Sequence, residues 1–229
     1  MPGRTDSSAA TDSPDAGPPP GGDTRTARTV SSAGTAPSAS TARLPADRVR
    51  CGLARLLPAR SPYRSQLRRI GSGRVLEIGC GAGDTLADCA PGSVGVDHDP
   101  RSVEHCRARG LTAYTADTFL AGPHARPGAF DALLSAHVLE HLDDEQVEGL
   151  LRAYVRYVRP GGGVLLITPQ EAGHRAGPAP VRFTDFALLR AFAESAGLAV
   201  RRAYSHPLPR PAGMLLRSNV FVLVAQVPR

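Results

Sequence analysis

A short apolar run followed by closely spaced glycines is the feature that most constrains this chain. Residues 74–84 read Arg-Val-Leu-Glu-Ile-Gly-Cys-Gly-Ala-Gly-Asp, and the apolar part predicts a buried strand. Glycine permits a sharp turn and lets a ligand approach the backbone closely. If the loop opens into a helix, the unpaired amides and the positive dipole end at the helix start favour a nucleotide-type ligand. The stretch therefore predicts a strand, a ligand-binding turn and a helix.

Acidic residues accompany the glycine loop at the spacing of a nucleotide-binding fold. Glu77 lies inside the apolar run, two residues before Gly79, where a buried carboxylate needs a partner. Residues 93–97 predict a second strand that ends in an acid 18 residues after Gly79. Rossmann-like folds place the acid that binds ribose hydroxyls at this position. Residues 115–117 predict a third strand, which also ends in an acid.

The spacing of the glycines distinguishes between cofactor classes. The dinucleotide fingerprint is G-x-G-x-x-G, whereas residues 79–83 read G-x-G-x-G and Asp84 stands where the third glycine would be. This disfavours an oxidoreductase that uses a nicotinamide cofactor. With Glu77 as its acidic lead, the motif resembles the first motif of class I S-adenosylmethionine (SAM) dependent methyltransferases of the small-molecule kind (type 11 or type 23 domains). The resemblance extends over about residues 70–229.

The resemblance implies SAM as the cofactor and a set of residues that contact it. Glu77 would support the glycine loop and the methionine end, Asp97 would bind the ribose hydroxyls, and Asp117 would accept from the adenine amino group. The expected contacts are Glu77, Gly79, Cys80, Gly81, Gly83, Asp97, His98, Asp117, Thr118 and Ala136. Without the glycine motif, Asp97 and Asp117 could equally be loop carboxylates that cap helices.

Strand and helix patterns alternate along the second part of the chain, which predicts an α/β fold with a mostly parallel sheet. Further strands are predicted at 130–136, 164–168, 198–204 and 220–227. Helices are predicted from Asp99-Pro100 to Gly110, from Asp143 to Arg159, and from a cap at Thr184 to Gly197. No helix pattern separates the last two strands. The resemblance accordingly implies a Rossmann-like three-layer αβα sandwich whose seven-stranded sheet has an antiparallel last strand.

Three regions are predicted along the chain: a disordered tail over 1–42, a helical segment over 43–73 and the methyltransferase domain over 74–229. The tail lacks aromatic residues and cannot bury enough surface to offset its ordering entropy. A dispensable extension is favoured over an interaction segment. Within the helical segment, one helix is predicted up to Leu57 and a second from Ser61 to Ile70.

Composition limits the partners and the compartment. All 27 basic residues are arginine, and residues 43–74 hold nine of them with one aspartate. This block could be a solvated face, or it could attract an anionic substrate, a nucleic acid or a lipid headgroup. Few aromatic residues are present for base stacking, which makes nucleic acid an unfavoured partner. Four cysteines without a C-x-x-C pair, and no signal peptide or membrane-length apolar run, favour a cytoplasmic protein with free thiols.

A rival motif lies after the predicted fourth strand. Residues 137–141 read His-Val-Leu-Glu-His, which matches the inverted zinc-peptidase pattern. We reject a metal site here because the segment follows a strand directly and the helix cap at Asp143 comes after it. The segment resembles the "-VLEHL-" stretch of small-molecule methyltransferases, where it lines the cofactor and begins the substrate wall.

The candidate catalytic residues are those expected at the same end of the sheet. His137 and His141 rank first because the pKa of histidine lies near neutrality. The other candidates are Glu171, His174, Arg175 and His206. The loops over 169–183 and 205–219 also carry Arg182, Arg210 and Arg217, which could receive an anionic, sugar-type or lipid-type acceptor or could be solvated. The predicted function is methyl transfer to O or N of a small molecule. The alternatives are an RNA methyltransferase and a non-catalytic SAM-binding or interaction module.

Overall fold

A seven-stranded sheet forms the centre of the computed structural model, which describes residues 63–71, 73–177 and 180–229. The strands are β1 (Val75–Ile78), β2 (Val94–Asp97), β3 (Ala113–Thr115), β4 (Phe130–Ala136), β5 (Val158–Pro169), β6 (Ala199–His206) and β7 (Val220–Gln226). They lie in the order β3-β2-β1-β4-β5-β7-β6. Strand β7 is antiparallel to both of its neighbours, and the other pairs are parallel. The predicted Rossmann-like α/β fold with a reversed last strand is confirmed.

Helices connect the strands and cover both faces of the sheet. The α-helices are α1 (Arg64–Leu67), α2 (Pro100–Ala108), α3 (Ala116–Leu120), α4 (Asp144–Val155), α5 (Glu171–Ala176) and α6 (Phe186–Ser195). Three 3₁₀ turns occupy Leu86–Asp88, Leu139–His141 and Arg210–Met214. Residues of α4 and α6 pack on one face of the sheet. Leu67 and Ile70, at the end of α1 and just beyond it, pack on the other face, so α1 is fixed against the sheet by apolar burial.

The prediction of a helix directly after the glycine loop is wrong. Only the 3₁₀ turn Leu86–Asp88 forms between the loop and β2. Pro91 disfavours helical backbone in the residue before it, and Gly92 with a φ of +81° turns the chain into β2. The segment is therefore too short for a regular helix.

The third strand lies earlier than the prediction placed it. Strand β3 ends at Thr115, and residues 116 and 117 belong to the first turn of α3. The side-chain oxygen of Thr115 accepts a hydrogen bond from the amide of Thr118, which makes Thr115 an N-cap. A predicted strand end is thus a helix start, and Asp117 lies on a helix.

The helix after Asp143 begins as predicted but ends earlier. Asp143 and Gln146 form a reciprocal capping box. Helix α4 ends at Val155, and Arg159 lies in β5 rather than in a last helical turn. There its Nε atom donates to Oδ1 of Asp131 at 2.7 Å. Pairing with β4 therefore prevails over the helical pattern.

The structure corrects the predicted start of α6 and the predicted extent of α1. Asp185 caps α6 instead of Thr184, because the Asp185 side chain accepts from the amide of Leu188. Thr184 is buried, and its carbonyl accepts from the hydroxyl of Thr168. The helix predicted from Ser61 to Ile70 is shorter than expected, because α1 is a single turn over Arg64–Leu67 with Tyr63 at its N-cap position.

Some predictions fall on residues that the structure does not describe. They are the tail over 1–42, the helix up to Leu57 and the cap at Ser61. The domain boundaries stay predictions. Among the described residues, no helix combines the length and apolar character that crossing a membrane requires.

Candidate active site

The carboxyl ends of β1, β2 and β4 lie side by side and form the candidate site. Ile78 of β1 pairs with Val96 of β2 and with Ser135 of β4. The glycine loop, Asp97 and His137 each follow within a few residues of these pairs, so they share one edge of the sheet. Ligands of parallel α/β sheets bind at this edge.

Asp97 anchors the glycine loop to the end of β2. Its Oδ2 atom accepts from the amide of Gly81 at 2.8 Å, and its Oδ1 atom accepts from the amide of Asp99 at 2.9 Å. The amide of Gly79 donates to the carbonyl of Val96 at 2.7 Å. A carboxylate offers about four lone-pair sites, so Asp97 can hold the loop and still accept from a ligand hydroxyl.

The three loop glycines serve different purposes. All have positive φ, between +50° and +79°, a region that side chains rarely enter. A Cβ atom at Gly79 would lie 2.2 Å from Val138 Cγ2, and one at Gly83 would lie 2.6 Å from Leu111 Cδ1. A Cβ at Gly81 would meet nothing within 4 Å. Two glycines therefore permit close packing, whereas Gly81 faces open space where a ligand can lie.

Glu77 is a buried carboxyl without a full set of partners. It is 3% exposed, and its Oε2 atom has no hydrogen-bond partner among the described residues. Burial, and then the nearby carboxylates of Asp84 and Asp97, raise the pKa of Glu77 to about 8. A buried carboxyl next to other acids is stabilised by a cationic group. The position therefore suits a ligand that brings positive charge to the glycine loop.

The remaining expected cofactor contacts differ in how far their side chains are exposed. The side chain of Cys80 packs against Leu86 and Cys106 in the core, so only its backbone could face a ligand. Burial, above all other causes, raises the pKa of the Cys80 thiol. Asp117 and Thr118 are exposed on α3, and the His98 ring is exposed beside Asp97. Ala136 ends β4.

His137 is held between a phenol and a carboxylate. Its Nε2 atom lies 2.5 Å from the hydroxyl of Tyr63, and its Nδ1 atom lies 3.3 Å from Oε1 of Glu140. It is the only described non-glycine residue with positive φ, at +58°. Such backbone strain persists where the surroundings fix it and is frequent at functional sites. Here the His137 amide donates to the carbonyl of Ile167 at 3.0 Å.

The protonation of this hydroxyl–imidazole–carboxylate group follows from its neighbours. Burial, and then the charge of Glu140, raise the pKa of Tyr63 to about 12, so its hydroxyl keeps its proton. A carboxylate can only accept, so Glu140 favours the His137 tautomer with its proton on Nδ1, and the Tyr63 hydroxyl is then the donor to Nε2. The Nδ1–H bond of His137 is then directed to Glu140. Glu140 is 3% exposed, and its Oε2 atom has no partner among the described residues. His141 is more distant, with Nε2 at 4.0 Å from Oε1 of Glu140.

Sequence reasoning missed two members of this group. Glu140 lies three residues after His137, in a 3₁₀ turn. This spacing of three residues was the sequence signal that could have identified Glu140 as a partner of His137. Tyr63 lies 74 residues before His137 and was predicted only as part of the helix from Ser61 to Ile70. No local signal links it to the site.

A cavity with a volume of about 320 Å³ adjoins His137. Glu140, His141, His174 and Arg217 also line it. The other candidates have other partners. Arg210 forms a bidentate pair with Glu171, and Nδ1 of His206 lies 3.0 Å from Nε2 of the buried Gln66.

Known proteins resemble this chain in sequence and in fold. A family model for a methyltransferase domain matches residues 46–203. A probable SAM-dependent methyltransferase of Mycolicibacterium smegmatis is 32% identical over 147 residues, which cover 60% of this chain and 56% of the relative. A ubiquinone biosynthesis O-methyltransferase of Methylococcus capsulatus is 30% identical over 129 residues, which cover 51% of this chain and 54% of that protein. The chain thus matches little more than half the length of either relative.

The solved structure of a SAM-dependent methyltransferase from Mesorhizobium loti superposes with a TM-score of 0.52. It is 19% identical and covers 72% of this chain and 98% of the other. At this identity it bears on the fold alone. Because the family model spans more than half of the residues, the chain belongs to the methyltransferase domain family, the class I enzymes whose cofactor is SAM.

The site residues fit this cofactor. SAM carries an amino group and a sulfonium, both cationic, and Glu77 is a buried carboxyl whose Oε2 atom has no partner in the part of the chain that the structure describes. The open space over Gly81 leaves room for a ligand against the loop backbone. Asp97 keeps acceptor sites for ribose hydroxyls beyond its two backbone bonds.

Proposed function

We propose that this chain transfers a methyl group from SAM to an oxygen or nitrogen of a small molecule by in-line displacement, with a hydroxyl as the favoured acceptor. The observation that carries the proposal is the Tyr63–His137–Glu140 group beside the glycine loop. A phenolic hydroxyl already donates to Nε2 of His137, so this nitrogen is oriented to receive a hydroxyl proton.

The cofactor end of the site would be held by the glycine loop, Asp97 and Glu77. When bound, SAM supplies a methyl group that is already activated on a sulfonium sulfur. Asp97 fixes the loop through the amide of Gly81 and offers its remaining lone pairs to ribose hydroxyls. Glu77 would pair with the cationic methionine end and lose the proton that its raised pKa otherwise retains.

The acceptor end would be handled by His137 and Glu140. Glu140 accepts the Nδ1–H bond, which leaves the lone pair of Nε2 for an acceptor hydroxyl in the place of the Tyr63 hydroxyl. As the acceptor oxygen is alkylated, its proton passes to Nε2, and the carboxylate stabilises the imidazolium. Such a positioned base contributes about 10²–10⁴-fold.

The relatives support an oxygen acceptor more than the alternatives. The Methylococcus capsulatus relative is a ubiquinone biosynthesis O-methyltransferase by its name. Neither curated relative described above is an RNA methyltransferase by name, so the RNA alternative is not favoured. A non-catalytic SAM-binding module would bind the cofactor without turnover.

Two measurements test the proposal on the full-length chain. Calorimetric titration with SAM and S-adenosylhomocysteine should give binding that weakens in Asp97→Ala. The variant Asp97→Asn keeps one acceptor oxygen. Comparison with Asp97→Ala therefore tests whether weaker binding comes from a lost ligand contact or from a glycine loop that is no longer anchored. No binding by the folded wild type would contradict the cofactor assignment.

The second measurement is transfer of labelled methyl from SAM to a panel of phenols, catechols and amines. His137→Ala should lose about 10²–10⁴-fold in kcat, and His141→Ala should lose less. The exposed His105 of α2 provides the control, because His105→Ala should keep full activity. Full kcat in His137→Ala would exclude His137 as the base.

A further inference from the structure

We infer that the acceptor is a hydroxylated small-molecule anion that binds with its hydroxyl at His137 and its carboxylate or phosphate at Arg217 and His174. This inference rests on the proposed function, because it names the substrate class of the same site. The observation that supports the inference is that all three residues line one cavity.

Arg217 differs from the other arginines of the same two loops because its side chain has no hydrogen bond, ion pair or ring contact among the described residues. Arg210 is paired with Glu171, and Arg175 donates to the carbonyl of Met214 at 3.0 Å. Arg182 contacts Asp144 and lies 4.4 Å from the ring centroid of Phe192. Arg217 is exposed, lines the cavity and makes no ion pair with any carboxylate in the described ranges. Its fork of donors is thus available for a carboxylate or a phosphate.

His174 lies beside Arg217 in the cavity wall. A Cβ atom at Gly173 would lie 2.7 Å from the carbonyl oxygen of Arg217, so the loop between β6 and β7 packs directly on α5. The Nδ1 atom of His174 is buried and has no partner among the residues that the structure describes. Because Nδ1 is closed off, Nε2 is the ring nitrogen that we expect a molecule in the cavity to contact.

The candidate base, His137, lines the same cavity. Nε2 of His137 already binds a phenolic hydroxyl, that of Tyr63, and Glu140 brings the negative charge that the base needs. Glu140 also lines the cavity and repels the negative group of an acceptor, whereas Arg217 attracts it. The charges of the cavity therefore orient such a molecule with its hydroxyl toward His137.

The size of the cavity limits the acceptor. A volume of about 320 Å³ is at the lower end of the range for small-molecule pockets. A compact molecule with one ring fits this volume better than a long-chain lipid. The acceptor class is therefore a small hydroxy acid or hydroxylated phosphate.

Binding of defined probes tests the inference without knowledge of the natural acceptor. The full-length chain, saturated with S-adenosylhomocysteine, is titrated with 4-hydroxybenzoate, 4-hydroxyphenyl phosphate and the uncharged 4-hydroxybenzamide. We expect at least one anion to bind more tightly than the amide by about 10- to 100-fold, the range of hydrogen bonds to charged groups. The stronger of the two anions identifies the carboxylate or the phosphate as the recognised group.

Arg217→Gln should remove the preference for the anion and leave the affinity for S-adenosylhomocysteine unchanged. Arg175→Gln is the matched control, because it removes the same charge from the neighbouring helix and should keep the preference. Equal losses in both variants would indicate a general positive field and would overturn the contact with Arg217. Amide binding as tight as anion binding, or no binding of either anion, would also overturn the inference.

The outcome is separable from that of the proposed function. Anion binding is read directly, so it can succeed even if no labelled methyl is transferred. Failure of S-adenosylhomocysteine to bind the wild type would contradict the proposed function, and the probes would then be titrated into the unliganded chain with the same criteria.

Discussion

The hydroxyl of Tyr63 lies 2.5 Å from Nε2 of His137, and the two residues are 74 positions apart in the chain. Tyr63 stands at the N-cap position of α1, and that segment packs on the sheet through Leu67 and Ile70. The residue that contacts the candidate base thus comes from outside the strand–loop framework that forms the rest of the site. In the proposed reaction, α1 therefore contributes Tyr63 to the acceptor end of the site.

Removal of the Tyr63 hydroxyl should favour acceptor binding. In Tyr63→Phe the ring stays and the hydrogen bond to Nε2 is lost, so an acceptor hydroxyl no longer competes with a phenol. We expect a lower KM for the acceptor with kcat largely kept, measured with the acceptor found in the labelled-methyl screen. A collapse of kcat at unchanged KM would instead make Tyr63 a participant in proton transfer.

A methyl group at Gly81 should weaken cofactor binding more than folding. Gly81 and Gly197 both have positive φ, +50° and +74°, and open space around a Cβ. Both alanine variants should therefore lose a similar stability, about 1–2 kcal/mol for left-handed backbone. Only Gly81→Ala should also lose affinity for S-adenosylhomocysteine, by about tenfold or more, or about 1.4 kcal/mol. Equal affinities in the two variants would show that the space over Gly81 is not used.

Glu77 should make the ligand-free protein less stable as the pH rises. Its ordinary pKa of 4.5 is raised to about 8 in the folded state, so between these values the folded chain keeps a proton that the unfolded chain has lost. The free energy of unfolding then falls by about 1.4 kcal/mol per pH unit across this window. Glu77→Gln should be more stable than the wild type at pH 8 and similar to it near pH 4.5.

Thermal or denaturant unfolding at several pH values measures this effect. Glu145→Gln, on the exposed face of α4, is the control and should follow the wild type. S-adenosylhomocysteine should bind Glu77→Gln more weakly. If the variant matches the wild type in both stability and binding at pH 8, the buried carboxyl has no role in cofactor binding.

Asn219 should be needed for the stability of the loop that carries Arg217. Its side-chain amide donates to Oε1 of Gln170 at 2.9 Å, and its Oδ1 atom accepts from the amide of Leu208 at 2.9 Å. Asn219 and Gln170 are both fully buried. Asn219→Ala should cost about 1–3 kcal/mol for each group left without a partner. The exposed neighbour Ser218 is the control, since Ser218→Ala should stay within about 0.5 kcal/mol of the wild type.

Features that depend on residues close together in the sequence could be predicted. The strand before Gly79 and the cap at Asp143 were predicted correctly because apolar runs and capping boxes act over a few residues. Arg159 was assigned wrongly because helical periodicity continues past the point where pairing with β4 takes over. Thr115 was assigned wrongly because one residue both ends a strand and caps a helix.

In the candidate site, too, the features that depend on local sequence were predictable and those that depend on tertiary packing were not. The glycine loop and Asp97 could be placed from spacing alone, since the ends of neighbouring parallel strands meet. The contact of Tyr63 with His137 could not, because it depends on how α1 packs on the sheet. The roles of Arg210 and Arg217 also could not be separated by sequence, because both are arginines in one loop and only Arg210 has a carboxylate opposite it.

The position of β7 between β5 and β6 has a consequence for synthesis on the ribosome. Strands β5 and β6 have no mutual hydrogen bonds, and each pairs with β7. Until residues 220–226 have emerged from the exit tunnel, the nascent chain presents two open strand edges, which are sites of intermolecular pairing. The sheet can close only after β7 has been synthesised, so this chain should depend on chaperones during that interval more than a fold whose strands pair in the order of their synthesis.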